Sequence, residues 1–214
     1  SEIVNIVIDW YKQKSEVEDQ KTIRKLNKQA KNKIRNSDKF LDANTKVRKD
    51  RELWIFEGDS ARAGFRKARN PQTQAAYMLR GKVLNVNGLG PTKIMANQEL
   101  GDLVTIIGLQ WGEKNNPDNL NFGKIVVCTD ADADGHCIAG LLLNFLNLFP
   151  ELFENGMVCR SISPIITAEK GNDLKKFYTL ADYKAEEPKL KGYKITYLQG
   201  LGTQTDRLYI ELMQ

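Results

Sequence analysis

Three carboxylates at alternate positions, Asp130, Asp132 and Asp134, directly follow the apolar run Ile125-Val126-Val127-Cys128-Thr129. In a strand or a tight strand exit, residues two apart point the same way, so the three acids can crowd one small volume. Anions that close repel unless something positive sits among them, and unpaired buried charge is expensive. A hard divalent cation answers both difficulties. Mg²⁺ takes oxygen ligands and often uses one or two carboxylates together with phosphate oxygens. The same D-x-D-x-D-G pattern opens a calcium-binding EF-hand loop. Counted from Asp130, however, the required bidentate Glu falls on Leu141, inside the apolar stretch Ala139-Gly140-Leu141-Leu142-Leu143. A phosphatase with an aspartyl nucleophile also likes D-x-D after a strand, and the cluster alone does not exclude it. The bland alternative is a solvated acidic loop.

A second acid ends a second apolar run, where Leu53-Trp54-Ile55-Phe56 leads into Glu57-Gly58-Asp59-Ser60-Ala61. Gly58 permits a positive φ or a close backbone approach, and Asp59 or Ser60 can cap a helix beginning at Ala61. Helix capping does not ask for a carboxylate before the glycine, so Glu57 is a candidate catalytic or metal-binding residue. From Ser60 through Gln98 the chain has no acid, while Arg62, Arg66, Lys67, Arg69, Arg80, Lys82 and Lys93 supply positive charge. Within that stretch Leu79-Arg80-Gly81-Lys82-Val83-Leu84-Asn85-Val86 alternates like a strand. Its two cations flank a glycine, which suits the gripping of a backbone phosphate.

The elements that must carry these residues are legible in outline. Residues 1 to 36 favour helix, with Ile3, Val7, Trp10 and Tyr11 at helical spacing and no Gly or Pro. Between Lys21 and Arg35 there are seven basic residues and no acid, and Lys21, Arg24, Lys28, Lys31 and Arg35 share one helical face. That face is either solvated or a nucleic-acid contact. Residues 37 to 50 read as a polar connector. Helices are expected over 91–98, 138–148 and 181–188, and strands over 158–167, 176–180 and 193–198. Lys170-Gly171-Asn172-Asp173 reads as a hairpin turn, and Gln199-Gly200-Leu201-Gly202-Thr203 as a tight turn or a close ligand approach.

Composition narrows the class. The chain has 214 residues, 41% hydrophobic, enough for one full domain and an appendage. A net charge of +5 points to a polyanionic partner only where the charge is clustered. Three cysteines, Cys128, Cys137 and Cys159, without CxxC spacing suit a reducing compartment. No apolar run approaches a bilayer span, and no signal-peptide pattern opens the chain, so a soluble intracellular protein is expected, with no membrane partner.

In their order and spacing, Glu57-Gly58-Asp59-Ser60-Ala61, Leu79 to Val86, the aspartate cluster and Gly200-Leu201-Gly202-Thr203 resemble the TOPRIM domain of type IIA DNA topoisomerases. The resemblance covers about residues 38–207, and eukaryotic and T-even-like phage members look closer than bacterial gyrase. It implies an α/β fold, Rossmann-like, with a mainly parallel sheet flanked by helices. An N-terminal helical extension and connector (1–50) would precede the TOPRIM domain (51–214). It further implies that Glu57, Asp130 and Asp132 hold Mg²⁺, with Asp134 as a further ligand or a close neighbour, and that Arg80, Gly81 and Lys82 contact double-stranded DNA. The tyrosine nucleophile of the family follows an arginine, and none of the seven tyrosines here does. ATP-binding motifs are likewise missing. The implied whole is a multimeric, ATP-dependent enzyme with its tyrosine-bearing cleavage domain and its ATPase and transducer domain elsewhere. It would act in the nucleus if eukaryotic, or in the host cytoplasm if phage-encoded. The start at Ser1 without Met suits a fragment. The sequence departs from the family at Gly135-His136-Cys137-Ile138, where Gly-Ser-His-Ile is usual, and at Gln199, where Lys is usual. A TOPRIM nuclease or primase, or a non-catalytic nucleic-acid-binding or assembly module, are the rival readings.

Overall fold

A computed structural model describes residues 2–35, 37–198, 200–203 and 205–213. The departure from the family at Gln199 lies outside the described residues. Two apolar runs become the centre of a sheet: β2 (Glu52–Glu57) and β4 (Lys124–Cys128) pair in parallel, with Phe56 opposite Cys128. Neighbours β3 (Gln74–Leu79) and β5 (Val158–Ser161) extend it in parallel on either side, and the short β1 (Phe40–Leu41) adds an antiparallel edge. The five-stranded order is β1-β3-β2-β4-β5, the mainly parallel α/β sheet the resemblance implies.

Strands buried on both faces need apolar residues on both, and the interiors of β2 (Leu53 to Phe56) and β4 (Ile125 to Cys128) have them. Leu53, Ile55, Ile125 and Val127 face one core, shared with α3 (Pro91–Ala96), α4 (Gln98–Ile107), α5 (Ala133–Leu146) and α6 (Glu151–Glu154). Trp54, Phe56, Val126 and Cys128 face the other, closed by Phe65 of α2 (Arg62–Ala68) and Tyr209 of α8 (Asp206–Leu212). Burial pushes the Cys128 thiol up to about 12, so this cysteine packs as a small hydrophobe.

The N-terminal helix α1 (Glu2–Arg35) is continuous and lies along α3 and α4, burying Ile23 and Ala30. Its first half leaves Val4, Ile6, Val7, Ile8, Trp10 and Tyr11 exposed. Beyond β5 the chain builds a separate three-stranded antiparallel sheet from β6 (Ile166–Lys170), β7 (Asp173–Phe177) and β8 (Lys194–Tyr197), with α7 (Leu180–Glu186) against it. The single strand expected over 158–167 is therefore split, with Pro164 between two strands of different sheets. Among the described residues no helix is long and apolar enough to cross a membrane.

Two other expectations fail locally. No strand runs from 79 to 86: β3 ends at Leu79, its last partner being Glu57, and Gly81 turns the chain away at φ 95°. The helix after the aspartates starts at Ala133 rather than near Ile138, because the Asp132 carboxylate accepts the Gly135 N–H at 2.7 Å and caps it.

Tyr77 of β3 anchors a buried polar cluster. Its hydroxyl lies 3.0 Å from Glu99 Oε2 and 2.9 Å from Asp102 Oδ2, while Glu99 Oε1 pairs with the buried Lys39. Burial first, and then Glu99, lift the Asp102 carboxyl above its usual range, against the lowering pull of Tyr77 and Lys39. Tyr77→Phe strips this cluster of its hydroxyl, and urea denaturation is expected to show a loss of about 1–3 kcal/mol.

Candidate functional site

In an open parallel sheet, ligands bind beyond the carboxyl ends of the strands, where the strand order reverses. Here the chain passes from β2 outward to β3, then crosses back to place β4 on the other side of β2. The crevice thus lies at the ends of β2 and β4, and Glu57 and Asp130 lie there. Glu57 Oε2 accepts the Asp130 N–H at 3.3 Å. Burial pushes the Glu57 carboxyl up, and the fields of Asp130, Asp132 and Asp134 push the same way, against the lowering effect of that hydrogen bond. Four acids therefore share one electrostatic neighbourhood.

Their arrangement differs from a strand-end fan. Asp130 lies in the loop after β4, Asp132 caps α5, and Asp134 stands in the first turn of that helix. Asp134 Oδ1 pairs with Lys82 Nζ at 2.9 Å, and both side chains are exposed. Among the described residues no group of three His, Cys, Asp or Glu is placed to hold a metal ion. The donor set still suits Mg²⁺, which takes hard oxygens and is commonly bound through one or two carboxylates, with water and substrate phosphate completing the shell.

Arg80 and Lys82 are brought to the same rim by the turn at Gly81. Arg80 Nη2 lies 2.7 Å from Asp38 Oδ2, and Arg80 Nε lies 3.3 Å from Asp59 Oδ2. Asp59 is thus a partner of Arg80, and no side-chain cap was found at the start of α2. Asp38, which also reaches Arg62 at 3.5 Å, carries no signal in the sequence. His136 sits on α5 with Nδ1 2.6 Å from the Asp132 carbonyl oxygen, exposed and tied to its own helix.

The late glycine turn closes the site from a distance in sequence. Leu201 N–H donates to Asp130 Oδ1 at 2.7 Å, and a side chain on Gly200 would place its Cβ 2.5 Å from Asp130 Oδ2. Tyr209 holds the turn down by donating from its hydroxyl to the Leu201 carbonyl at 2.8 Å. The glycines were legible as a close approach; that the approached group is the Asp130 carboxylate was not.

The Toprim domain family model matches residues 52–162, which hold Glu57, Arg80, Lys82 and all three aspartates. The chain belongs to the Toprim family. Over 97% of its length it is 34% identical to the DNA topoisomerase 2 of Plasmodium falciparum, and over 96% it is 33% identical to DNA topoisomerase 2-alpha of Homo sapiens. A crystal structure of the Plasmodium falciparum topoisomerase II DNA-binding, cleavage and re-ligation domain superposes with a TM-score of 0.74 at 33% identity, covering 83% of this chain and 26% of that one. The similarity to DNA topoisomerase 2 thus runs over nearly the whole chain, beyond the residues that the Toprim model matches. The chain spans only 14–16% of the length of the two curated relatives. The bacteriophage expectation is not supported, since these relatives are eukaryotic.

Proposed function

We propose that this Toprim chain supplies the metal-binding half of the double-strand DNA cleavage and religation site of an ATP-dependent type II topoisomerase. The observation that carries the reading is the meeting of Glu57 and Asp130 at the reversal of strand order, beside a rim bearing Arg80 and Lys82. Glu57, Asp130 and Asp132 would hold Mg²⁺ through their carboxylates, with Asp134 as a further ligand or a close neighbour. The ion would supply charge stabilisation at the scissile phosphate and the leaving 3′ oxygen. Arg80 and Lys82, on either side of Gly81, hold the DNA phosphates next to the cleaved bond. The attacking tyrosine comes from another domain or subunit. The exposed apolar start of α1 suits packing against the ATPase and transducer region of a multimeric enzyme working where the genome is held.

Both rim cations are already paired with carboxylates, so DNA phosphates must take them over. Exposed pairs are weak and screened, which makes the exchange feasible. Lys82→Ala is expected to flatten the slope of log K against log salt for duplex binding by about one unit. An unchanged slope removes Lys82 from the phosphate contacts.

Calorimetric titration with Mg²⁺ tests the metal role directly. The native chain is expected to bind about one ion, and the Asp130→Ala, Asp132→Ala double variant none. Equal heats from the two would leave the acids a structural role and favour a non-catalytic assembly module. Metal binding with Mg²⁺-dependent nicking by the chain alone would favour a Toprim nuclease.

A further inference from the structure

A cleft of about 400 Å³ opens at the end of the sheet opposite the carboxylates, beside the entries to β2 and β4. Its volume falls in the range of small-molecule sites. Ile34, Phe40, Ile106, Leu120 and Phe122 give it apolar walls. Four cations line it as well: Lys31 from α1, Lys46 and Arg48 from the connector, and Arg51 at the start of β2. Its one acidic lining residue among those described, Asp42, is committed, accepting from Arg51 Nη2 at 2.6 Å.

Arg51 is built into the wall. Its side chain is 9% exposed, its guanidinium lies over the Phe122 ring at 4.7 Å, and Nη1 donates to the Thr45 carbonyl at 2.8 Å. Its Nε is buried and has no hydrogen-bond partner among the described residues. Lys31 has no ion pair among the described residues, and Lys46 approaches Asp42 only at 4.0 Å. Positive charge therefore exceeds its internal partners here, next to a surface that suits a flat apolar group. A lone inorganic anion leaves the apolar walls unused, and a rigid duplex cannot enter a cleft of this size.

We propose that this cleft binds a small organic anion with a flat apolar body, an aryl carboxylate, sulfonate or phosphate. The ring lies against the Ile34 and Phe40 side, and the acid group faces Lys31 and Lys46. The site is separate from the Toprim acids: Arg51 directly precedes β2, and Glu57 ends it.

Naphthalene-2-sulfonate is the probe, titrated into the 214-residue chain by calorimetry and by amide NMR. The expected result is one site of sub-millimolar affinity, with shifts centred on Thr105, Asn121 and Phe122. Neutral 2-naphthol and inorganic sulfate should each bind at least about tenfold more weakly. Lys31→Glu combined with Lys46→Glu, both at exposed positions, should weaken the sulfonate at least about tenfold with unchanged thermal melting. The proposal is overturned by no saturable binding of the probe, equal binding of 2-naphthol, equal binding by the double variant, or shifts centred outside the cleft. Displacement of the probe by a short DNA duplex would also overturn it, assigning the cations to the nucleic-acid backbone.

Discussion

Glu57→Gln is expected to cut Mg²⁺-dependent double-strand cleavage by the complete topoisomerase by about 10²-fold or more, while leaving the chain folded. The substitution keeps size and shape and removes one negative charge from a half-buried position. That charge is held at a cost, since burial and the fields of Asp130, Asp132 and Asp134 all oppose it. Neutralising it relieves repulsion in the metal-free chain, so the melting temperature should not fall. On the proposed reading, that charge is used in holding a cation that the remaining acids would hold less well. The measurement is linear product formed from supercoiled plasmid, with the tyrosine-bearing subunit present, beside a thermal melt of the variant. Cleavage within about twofold of the native enzyme would remove Glu57 from the site.

Gly135→Ala is expected to cost about 3 kcal/mol of stability, a large loss for one methyl group. The added Cβ would lie 2.2 Å from the Asp130 carbonyl oxygen, 2.8 Å from its carbonyl carbon and 2.9 Å from its nitrogen. All three are backbone atoms, so no side-chain rotation relieves the clash. Either α5 withdraws from β4 or the loop carrying Asp130 moves, and cleavage should fall with stability because Asp130 is displaced. Gly140 on the same helix is the internal control. Nothing lies within 4 Å of its Cβ position, so Gly140→Ala should stabilise by about 0.5–1 kcal/mol through helix propensity. Urea denaturation of the two variants beside the native chain gives both values. A Gly135→Ala variant within about 0.5 kcal/mol of native would mean that the close approach of helix and loop is not required.

Both variants concern residues that the sequence made conspicuous, for different reasons. Glu57 stood out because an apolar run ended in an acid that capping did not explain. Gly135 was visible only as part of a D-x-D-x-D-G pattern. Its actual burden, lying against the Asp130 backbone, required the β4-to-α5 turn to be folded. Asp132 likewise read as a strand-end acid, whereas the helix beginning at Ala133 takes its carboxylate as a cap. Local hydrogen bonding to an adjacent N–H overrode the alternation. The strand expected through Arg80 and Lys82 failed for a comparable reason: the ladder with β2 ends at Leu79, and the positive φ of Gly81 turns the chain onto the rim. Period-2 patterning cannot see where a partner strand stops.

By itself the sequence determined the chemistry present. It supplied hard oxygen donors after two apolar runs, an acid-free basic stretch between them, and a glycine turn late in the chain. It marked β2 and β4 as well, because the interior of a strand buried on both faces must be apolar. The tertiary structure decided which of these meet. Pairing β2 with β4 in parallel, after a crossover through β3, brings Glu57 to Asp130 across 73 positions of sequence. Packing α8 against α2 brings the Leu201 N–H onto the same carboxylate from 71 positions away. Such contacts depend on strand order and helix packing, which arise from the burial of many side chains at once. No spacing between functional residues encodes them.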